Sequence, residues 1–570
     1  MENQRTFLII ALLAISAVLY QKWLEFSDSY GQVNGSVAQQ NVATLQDAPA
    51  TPVATPQAQP EDLPSTPVAV AASAPEPTPQ AVSSSQASPG QVITVTTDLV
   101  IAKINTQGGV IESMELLQEP ISMEQQDQGF PLLKKSAIEI FVAQDGLLVS
   151  GQKGPNHIET LYQAPRTDYQ LDDQAQIEVP LSWTSPEGVQ YVKLMRFTRD
   201  SYVVDIEYQV NNVAANPWQG YIYGQFSRTE PENTGGGFGQ LPSYTGGAIY
   251  SEEEKYEKID FDDMSEGTLA TRTSSGWVAM LQHYFVGAWI PINGGGKQFY
   301  AAANNRQATP VYRIGYKTIE PVQILAGQSG QVSTRVYLGS KQQSRLKEIE
   351  KTSDIKGLAL TVDYGFLTFI ADPLFWLLDK IHSVVGNWGW AIILLTILIK
   401  LVFYPLSAAS YKSMAGMKKL QPRMQTLKER YKDDRQKFQM EMMALYKKEK
   451  INPAGGCLPI LVQIPVFIAL YWVLLESVEI RQAPFALWLQ DLSAPDPYFI
   501  LPILMGASMW AQQKLNPAPM DDIQKKVMTI MPIALTFLFL TFPQGLVLYW
   551  VVNNVLSMAQ QWVINRKYAN

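Results

Sequence analysis

At 570 residues the chain has room for more than one domain, and its net charge of −8 argues against a nucleic-acid binder, so DNA is not an expected partner. Cys457 is the only cysteine, which excludes an intrachain disulfide, and His157, His283 and His382 stand too far apart for a clustered zinc site. The mean hydropathy of −0.05 averages a polar half and an apolar half: no Lys or Arg falls between Lys22 and Lys103, while basic residues crowd the stretch from Lys412 to Lys450.

Residues 6–20 form an uncharged, largely apolar run behind Arg5 and ahead of Lys22 and Trp23. A cleaved signal peptide could end at Ala14-Ile15-Ser16, but its apolar core would then hold only about seven residues. Extended to Leu24 the run reaches the roughly 20 residues of a span, with Lys22 snorkelling and Trp23 at the interface. The reading adopted is an uncleaved anchor over 1–27, with the cleaved signal as its alternative. Residues 28–91 are rich in Pro, Ala, Gln, Ser and Thr, and 31–90 contain no aromatic residue. Such a segment buries too little apolar surface to offset its ordering entropy, which predicts a disordered tether.

From Val92 the texture changes. Runs at 92–95, 99–104, 191–197, 202–210, 311–316 and 332–338 are β-rich, and 202–210 reads Y-V-V-D-I-E-Y-Q-V with a period of two. Gly108-Gly109, Asn211-Asn212, Gly235-Gly236-Gly237 and Gly294-Gly295-Gly296 punctuate them. This pattern predicts a large antiparallel sandwich over 92–352, closed by a polar helix at 341–352. No spacing ties its acids and His283 into a catalytic set. Gly294-Gly295-Gly296-Lys297 lacks the spacing of a phosphate loop and has Gln298 in the hydroxyl's place. A structural or partner-binding domain is expected, with a sugar-processing enzyme as the alternative.

Residues 366–385 are amphipathic, interrupted by Asp372-Pro373, and end in Asp379, Lys380 and His382; within 353–387 they predict a helix lying on the membrane surface. Apolar spans follow near 388–404, 457–475, 498–513, 527–542 and 546–564. The loop 411–452 carries twelve Lys/Arg against five acids, a net +7, and belongs in the cytoplasm; 476–497 carries four acids and Arg481 and belongs outside. Counting back places the β domain outside and Met1 inside, and Arg566 and Lys567 place the C-terminus inside. The fold class expected is a six-span α-helical membrane protein, five spans forming a core over 388–570, with an outer all-β domain. Within the basic loop, Met414, Met417, Leu420, Met424 and Leu427 mark one helix face and Phe438, Met442, Leu445 and Tyr446 a returning one, predicting a cytoplasmic hairpin at about 408–451. It is read both as a self-packed hairpin and as a Met-bearing receiving surface for apolar peptides.

Lys400 interrupts an apolar helix roughly 15 Å below Trp390, where a lysine costs about 3 kcal/mol on insertion scales. Thr396 lies one turn away; Gln463, Gln512, Asn553, Asn554 and Ser557 in other spans could complete a polar interior. A lysine that only snorkels is the plainer reading. No intramembrane carboxylate stands opposite, which suits a transient acidic or polar guest better than an ion-pair transporter.

Asn452-Pro453-Ala454-Gly455-Gly456-Cys457-Leu458-Pro459, Gln463-Ile464-Pro465, Tyr404-Pro405-Leu406, Arg481-Gln482-Ala483-Pro484-Phe485, Leu501-Pro502-Ile503-Leu504-Met505-Gly506 and Phe542-Pro543-Gln544-Gly545-Leu546-Val547-Leu548-Tyr549-Trp550 resemble the YidC/Oxa/Alb insertase family from residue 358 to about 564. The anchor, tether and β domain resemble its Gram-negative YidC form. The resemblance implies a β-supersandwich in the periplasm and a five-helix core whose hydrophilic groove holds one basic residue. Lys400 takes that place where many relatives have Arg, and it lacks Arg's bidentate fork. Thr396, Gln463, Asn553 and Asn554 are expected to line the groove; Phe467, Met505, Tyr549 and Trp550 match substrate-contacting positions, and Trp488 a structural aromatic. The implied partners are nascent membrane proteins, the Sec translocon, lipids, and ribosome and targeting factors at the hairpin. The implied function is that of a bacterial inner-membrane insertase and chaperone. The resemblance implies no enzymatic activity, and no catalytic residue, cofactor or metal is expected. A small-solute transporter with a periplasmic binding domain is the alternative; it predicts inverted repeats and broken helices.

Overall fold

The computed structural model describes residues 90–231, 243–267, 269–292, 294–304, 309–431, 434–449, 458–515 and 522–569. The expected anchor, the tether up to residue 89, the Gly235 triplet, the hairpin turn at Lys432-Asp433 and the motif from Asn452 to Cys457 lie outside the described residues.

The described residues between 92 and 340 build an eleven-stranded and an eight-stranded sheet. Pairing is antiparallel except where Val92–Thr96 runs parallel to Asp168–Gln170. The six runs read from sequence are strands: Val92–Thr96, Val100–Asn105, Gln190–Thr198, Val203–Asn212, Val311–Thr318 and Gln328–Ser340. Val203–Asn212 lies between Gln190–Thr198 and Gln328–Ser340, with Val204, Ile206, Tyr208 and Val210 buried on one face. That single covered face produces its clean alternation. By contrast, every residue of Gly246–Ser251, Gly276–Leu281 and Phe285–Ile290 is buried. Strands covered on both faces have no polar phase, so no period of two marks them in the sequence. The sheets interleave at Phe226 and Trp289, whose ring centroids are 5.9 Å apart. On the eight-stranded sheet, Tyr250 and Trp277 are covered by the connector after the helix Gln343–Ser353 (α1). There Gly357 sits at φ +78, and a Cβ would come within 2.4 Å of the Tyr250 ring.

Among the described residues eight more α-helices follow: α2 (Thr368–Val385), α3 (Trp388–Val402), α4 (Tyr404–Arg430), α5 (Arg435–Lys448), α6 (Leu458–Glu476), α7 (Ile500–Leu515), α8 (Asp522–Phe539) and α9 (Gln544–Ala569). Helix α2 buries Ala371, Phe375 and Leu378 and exposes Phe369, Trp376 and Val384. It packs on α3 and α6, while α9 is central and packs on α3, α4 and α7. Among the described residues no single helix is long and apolar enough to cross a membrane; α3 and α4 pass only together, bent by 67°. Helices α4 and α5 form the hairpin. Leu420, Met424 and Tyr446 are buried against each other, with Met417, Met442 and Leu445 packed on them. Met440 and Met443 stay exposed, so a self-packed seam and an outward methionine face coexist.

The β domain rests on residues 475–482. Arg481 donates to the Pro120 carbonyl at 2.7 Å, lies 3.7 Å from the Glu119 carboxylate and covers the rings of Phe130, Tyr284 and Phe285. Tyr364 Oη and Ser477 Oγ are 2.9 Å apart, and Glu479 Oε1 accepts from the Gln343 amide at 3.0 Å. Glu479 Oε2 is shut off from solvent with no partner among the described residues. Burial pushes its carboxyl up from 4.5 to about 7. The docked state therefore holds this proton to higher pH than the unfolded chain. Its contribution is full below about pH 4.5 and is lost as pH rises to 7. The melting temperature of the detergent-solubilised chain is expected to fall across that window. Glu479→Gln, which keeps an acceptor for Gln343, should flatten the fall, and an unchanged slope would remove Glu479 from this account.

Candidate functional site

Local chemistry fixes the position of Lys400. Asn387 caps α3, its Oδ1 accepting from Trp390 N at 3.1 Å, and Gly389 lets the Phe485 ring lie on the helix where a Cβ would come within 2.1 Å. At the other end Pro405 occupies the first turn of α4, where a missing N–H is harmless. Between these points Thr396 and Lys400 are the polar residues of α3.

Lys400 is only 8% exposed, and its Nζ donates to Ser557 Oγ on α9 at 2.7 Å. Ser557 in turn donates to the Asn553 carbonyl at 2.7 Å. From α6, Gln463 Nε2 donates to Tyr549 Oη at 3.1 Å and to Asn553 Oδ1. Ile399, Lys400, Phe403, Leu406, Ser407 and Gln463 line a cavity of about 10 Å³, room for about one water. Lys400, Gln463, Asn553, Ser557 and Tyr549 thus come together from three helices. Among the described residues no ion pair includes Lys400, and no group of His, Cys, Asp and Glu has the makings of a metal site.

The remaining sequence-read residues lie elsewhere. Thr396 is buried on the same face, but its hydroxyl donates to Ile392 O of its own helix at 2.7 Å. Asn554 turns to α7, donating to Ser508 Oγ at 2.9 Å. Gln512 lies on α7 and Gln513 donates to the Met528 carbonyl at 2.5 Å, so that end of α7 is tied to α8. Phe467 meets Trp550 edge-on at 4.6 Å and Phe539 at 6.3 Å, which gives an aromatic seam across α6, α8 and α9. Met505 is fully buried on α7. Trp488 Nε1 donates to Asp496 Oδ2 at 3.4 Å, and Asp496 also accepts from Leu501 N at 2.7 Å, so Trp488 braces the loop entering α7. Ser407, Ser410 and Tyr411, all buried on α4, were absent from the sequence reading. Their three- and four-residue spacing was the available sign, hidden beside the long basic hairpin. Lys297 does not act as a phosphate-loop lysine: it donates to the Ser274 and Gly295 carbonyls at 2.9 and 3.2 Å.

Two family models match the chain, one described as 60Kd inner membrane protein over residues 380–570 and one as YidC periplasmic domain over 92–377. The membrane protein insertase YidC of Nitrosococcus oceani is 45% identical over 574 residues, spanning 100% of this chain and 99% of that relative. That of Alkalilimnicola ehrlichii is 46% identical over 572 residues, spanning 99% and 96%. A crystal structure of an active YidC insertase, with its first transmembrane domain resolved, aligns over 83% of this chain and 93% of its own, at 18% identity and a TM-score of 0.37.

Proposed function

This chain belongs to the YidC family of membrane protein insertases, and we propose that it integrates newly made inner-membrane proteins, and assists their folding, through the polar site around Lys400. The observation that carries this reading is a cation, 8% exposed, held by a neutral serine inside an apolar bundle. The near-full-length similarity to insertases sets aside the small-solute transporter.

In this reading α3, α6, α7, α8 and α9 cross the membrane, an N-terminal anchor adds a sixth span, both termini face the cytoplasm and the β domain faces the periplasm. Helix α2 lies on the lipid surface. Helices α3 and α7 have 15 and 16 residues, about 22–24 Å, against a hydrocarbon core of about 30 Å. Where these two short helices meet lipid they draw the bilayer thinner, which shortens the path a guest's polar segment must cross. The basic hairpin meets ribosome and targeting factors, and its exposed Met440 and Met443 receive apolar guest segments. The short translocated segment of the guest enters beside Lys400. Its apolar segment slides into lipid past Phe467, Phe539 and Trp550, gaining burial energy without nucleotide hydrolysis. The Sec translocon works beside the chain on larger guests.

Depletion of the chain followed by protease protection tests this. Short membrane proteins made after depletion are expected to leave their outward segments on the cytoplasmic side, and normal insertion would overturn the reading.

A further inference from the structure

Ser557 is the hydrogen-bond partner of the buried Lys400 ammonium. It has one O–H, which is committed to the Asn553 carbonyl at 2.7 Å, so a lone pair of Oγ faces Lys400 Nζ at 2.7 Å. The hydroxyl is therefore fixed as an acceptor. Lys400 and Ser557 are both buried, and the cavity that Lys400 lines holds about one water. The ammonium is held inward at rest.

We propose that Ser557 is a positioning residue, a neutral stand-in that holds Lys400 turned toward α9 until a carboxylate of the guest's translocated segment replaces it. This rests on the Lys400 reading above. A hydroxyl makes the weaker bond to an ammonium and a carboxylate the stronger, charge-assisted one, so an acidic segment displaces Ser557 and a neutral segment competes poorly. A basic segment has nothing to gain at the site. The hydroxyl thereby sets the threshold of selection: it is strong enough to keep the buried cation partnered, and weak enough to yield.

The test uses the full chain in membranes and one single-span guest with an acidic, a neutral or a basic translocated segment, scored by protease protection at matched chain abundance. Ser557→Asp places a permanent carboxylate at the cation. It is expected to lower insertion of the acidic guest by about tenfold, the neutral guest less, and to leave the basic guest equal or raised. A folding defect cannot move acidic and basic guests in opposite senses. Ser557→Thr keeps the hydroxyl and should match the unaltered chain. Lys400→Ala is run alongside. If it leaves the acidic guest unchanged, the Lys400 reading itself fails. If it lowers the acidic guest while Ser557→Asp spares it, or lowers all three guests equally, the Ser557 inference alone is overturned.

Discussion

Replacing Lys400 with Ala is expected to lower insertion of guests with acidic translocated segments by about tenfold, while the helical bundle keeps or gains stability. Both halves follow from the same burial. The ammonium has a hydroxyl for its partner, so a guest carboxylate gains a charge-assisted bond that alanine cannot supply, worth about 1.5–3 kcal/mol. Removing the cation also removes an insertion cost of about 3 kcal/mol, so the variant should not misfold. Loss of insertion at unchanged abundance and an equal or higher melting temperature is the expected pair of results. Lys400→Arg keeps the charge but needs room for a planar fork in a cavity of about 10 Å³, and should fall between. Equal insertion by all three chains would take the electrostatic part out of the account.

The second large effect lies in the β domain. Lys193 and Asp145 are 0% and 1% exposed, with Nζ and Oδ1 2.7 Å apart. Lys193 also donates to the Gly109 carbonyl at 2.8 Å, and Tyr208 Oη donates to Asp145 Oδ2 at 2.7 Å. Asp145→Ala leaves a buried ammonium without its counter-charge and should destabilise the domain by about 3–5 kcal/mol, a large share of a typical domain's stability. Burial already pulls the Lys193 ammonium below its ordinary pKa, with Asp145 opposing. Once Asp145 is gone, the folded domain binds fewer protons than the unfolded chain, so the defect shrinks as pH rises. Replacing both residues, Lys193→Met with Asp145→Leu, should restore most of the stability. Pulse proteolysis of the full chain against urea measures all three; a defect below about 1 kcal/mol in Asp145→Ala would show that the pair carries little.

Lys193 also shows how much of the fold could be read from residues alone. Tyr191, Lys193, Met195 and Phe197 all point inward, so a charged residue takes a core position in that strand and breaks its apolar alternation. Its partner lies 48 residues away in sequence and on the other sheet, and only the packing of one sheet on the other joins them. The membrane region was more legible. Helices α3 and α6–α9 stand where hydropathy placed spans, and Met417, Leu420 and Met424 meet Met442, Leu445 and Tyr446 as their spacing requires. The site was legible in its members but not its bonds. Asn553 and Asn554 are neighbours in sequence, yet one turns toward Gln463 and the other toward Ser508, because successive helical residues point about 100° apart. Ser407 and Tyr411 stayed hidden because α4 runs on into the charged hairpin and its first turns lack an apolar signal of their own.

The most direct measurement of the central claim is reconstitution. The purified chain is placed in lipid vesicles with no other protein and no nucleotide, and a short single-span guest with an acidic translocated segment is added. The account predicts protease-protected guest with the unaltered chain and much less with Lys400→Ala. Equal protection in both, or none above protein-free vesicles, would contradict it.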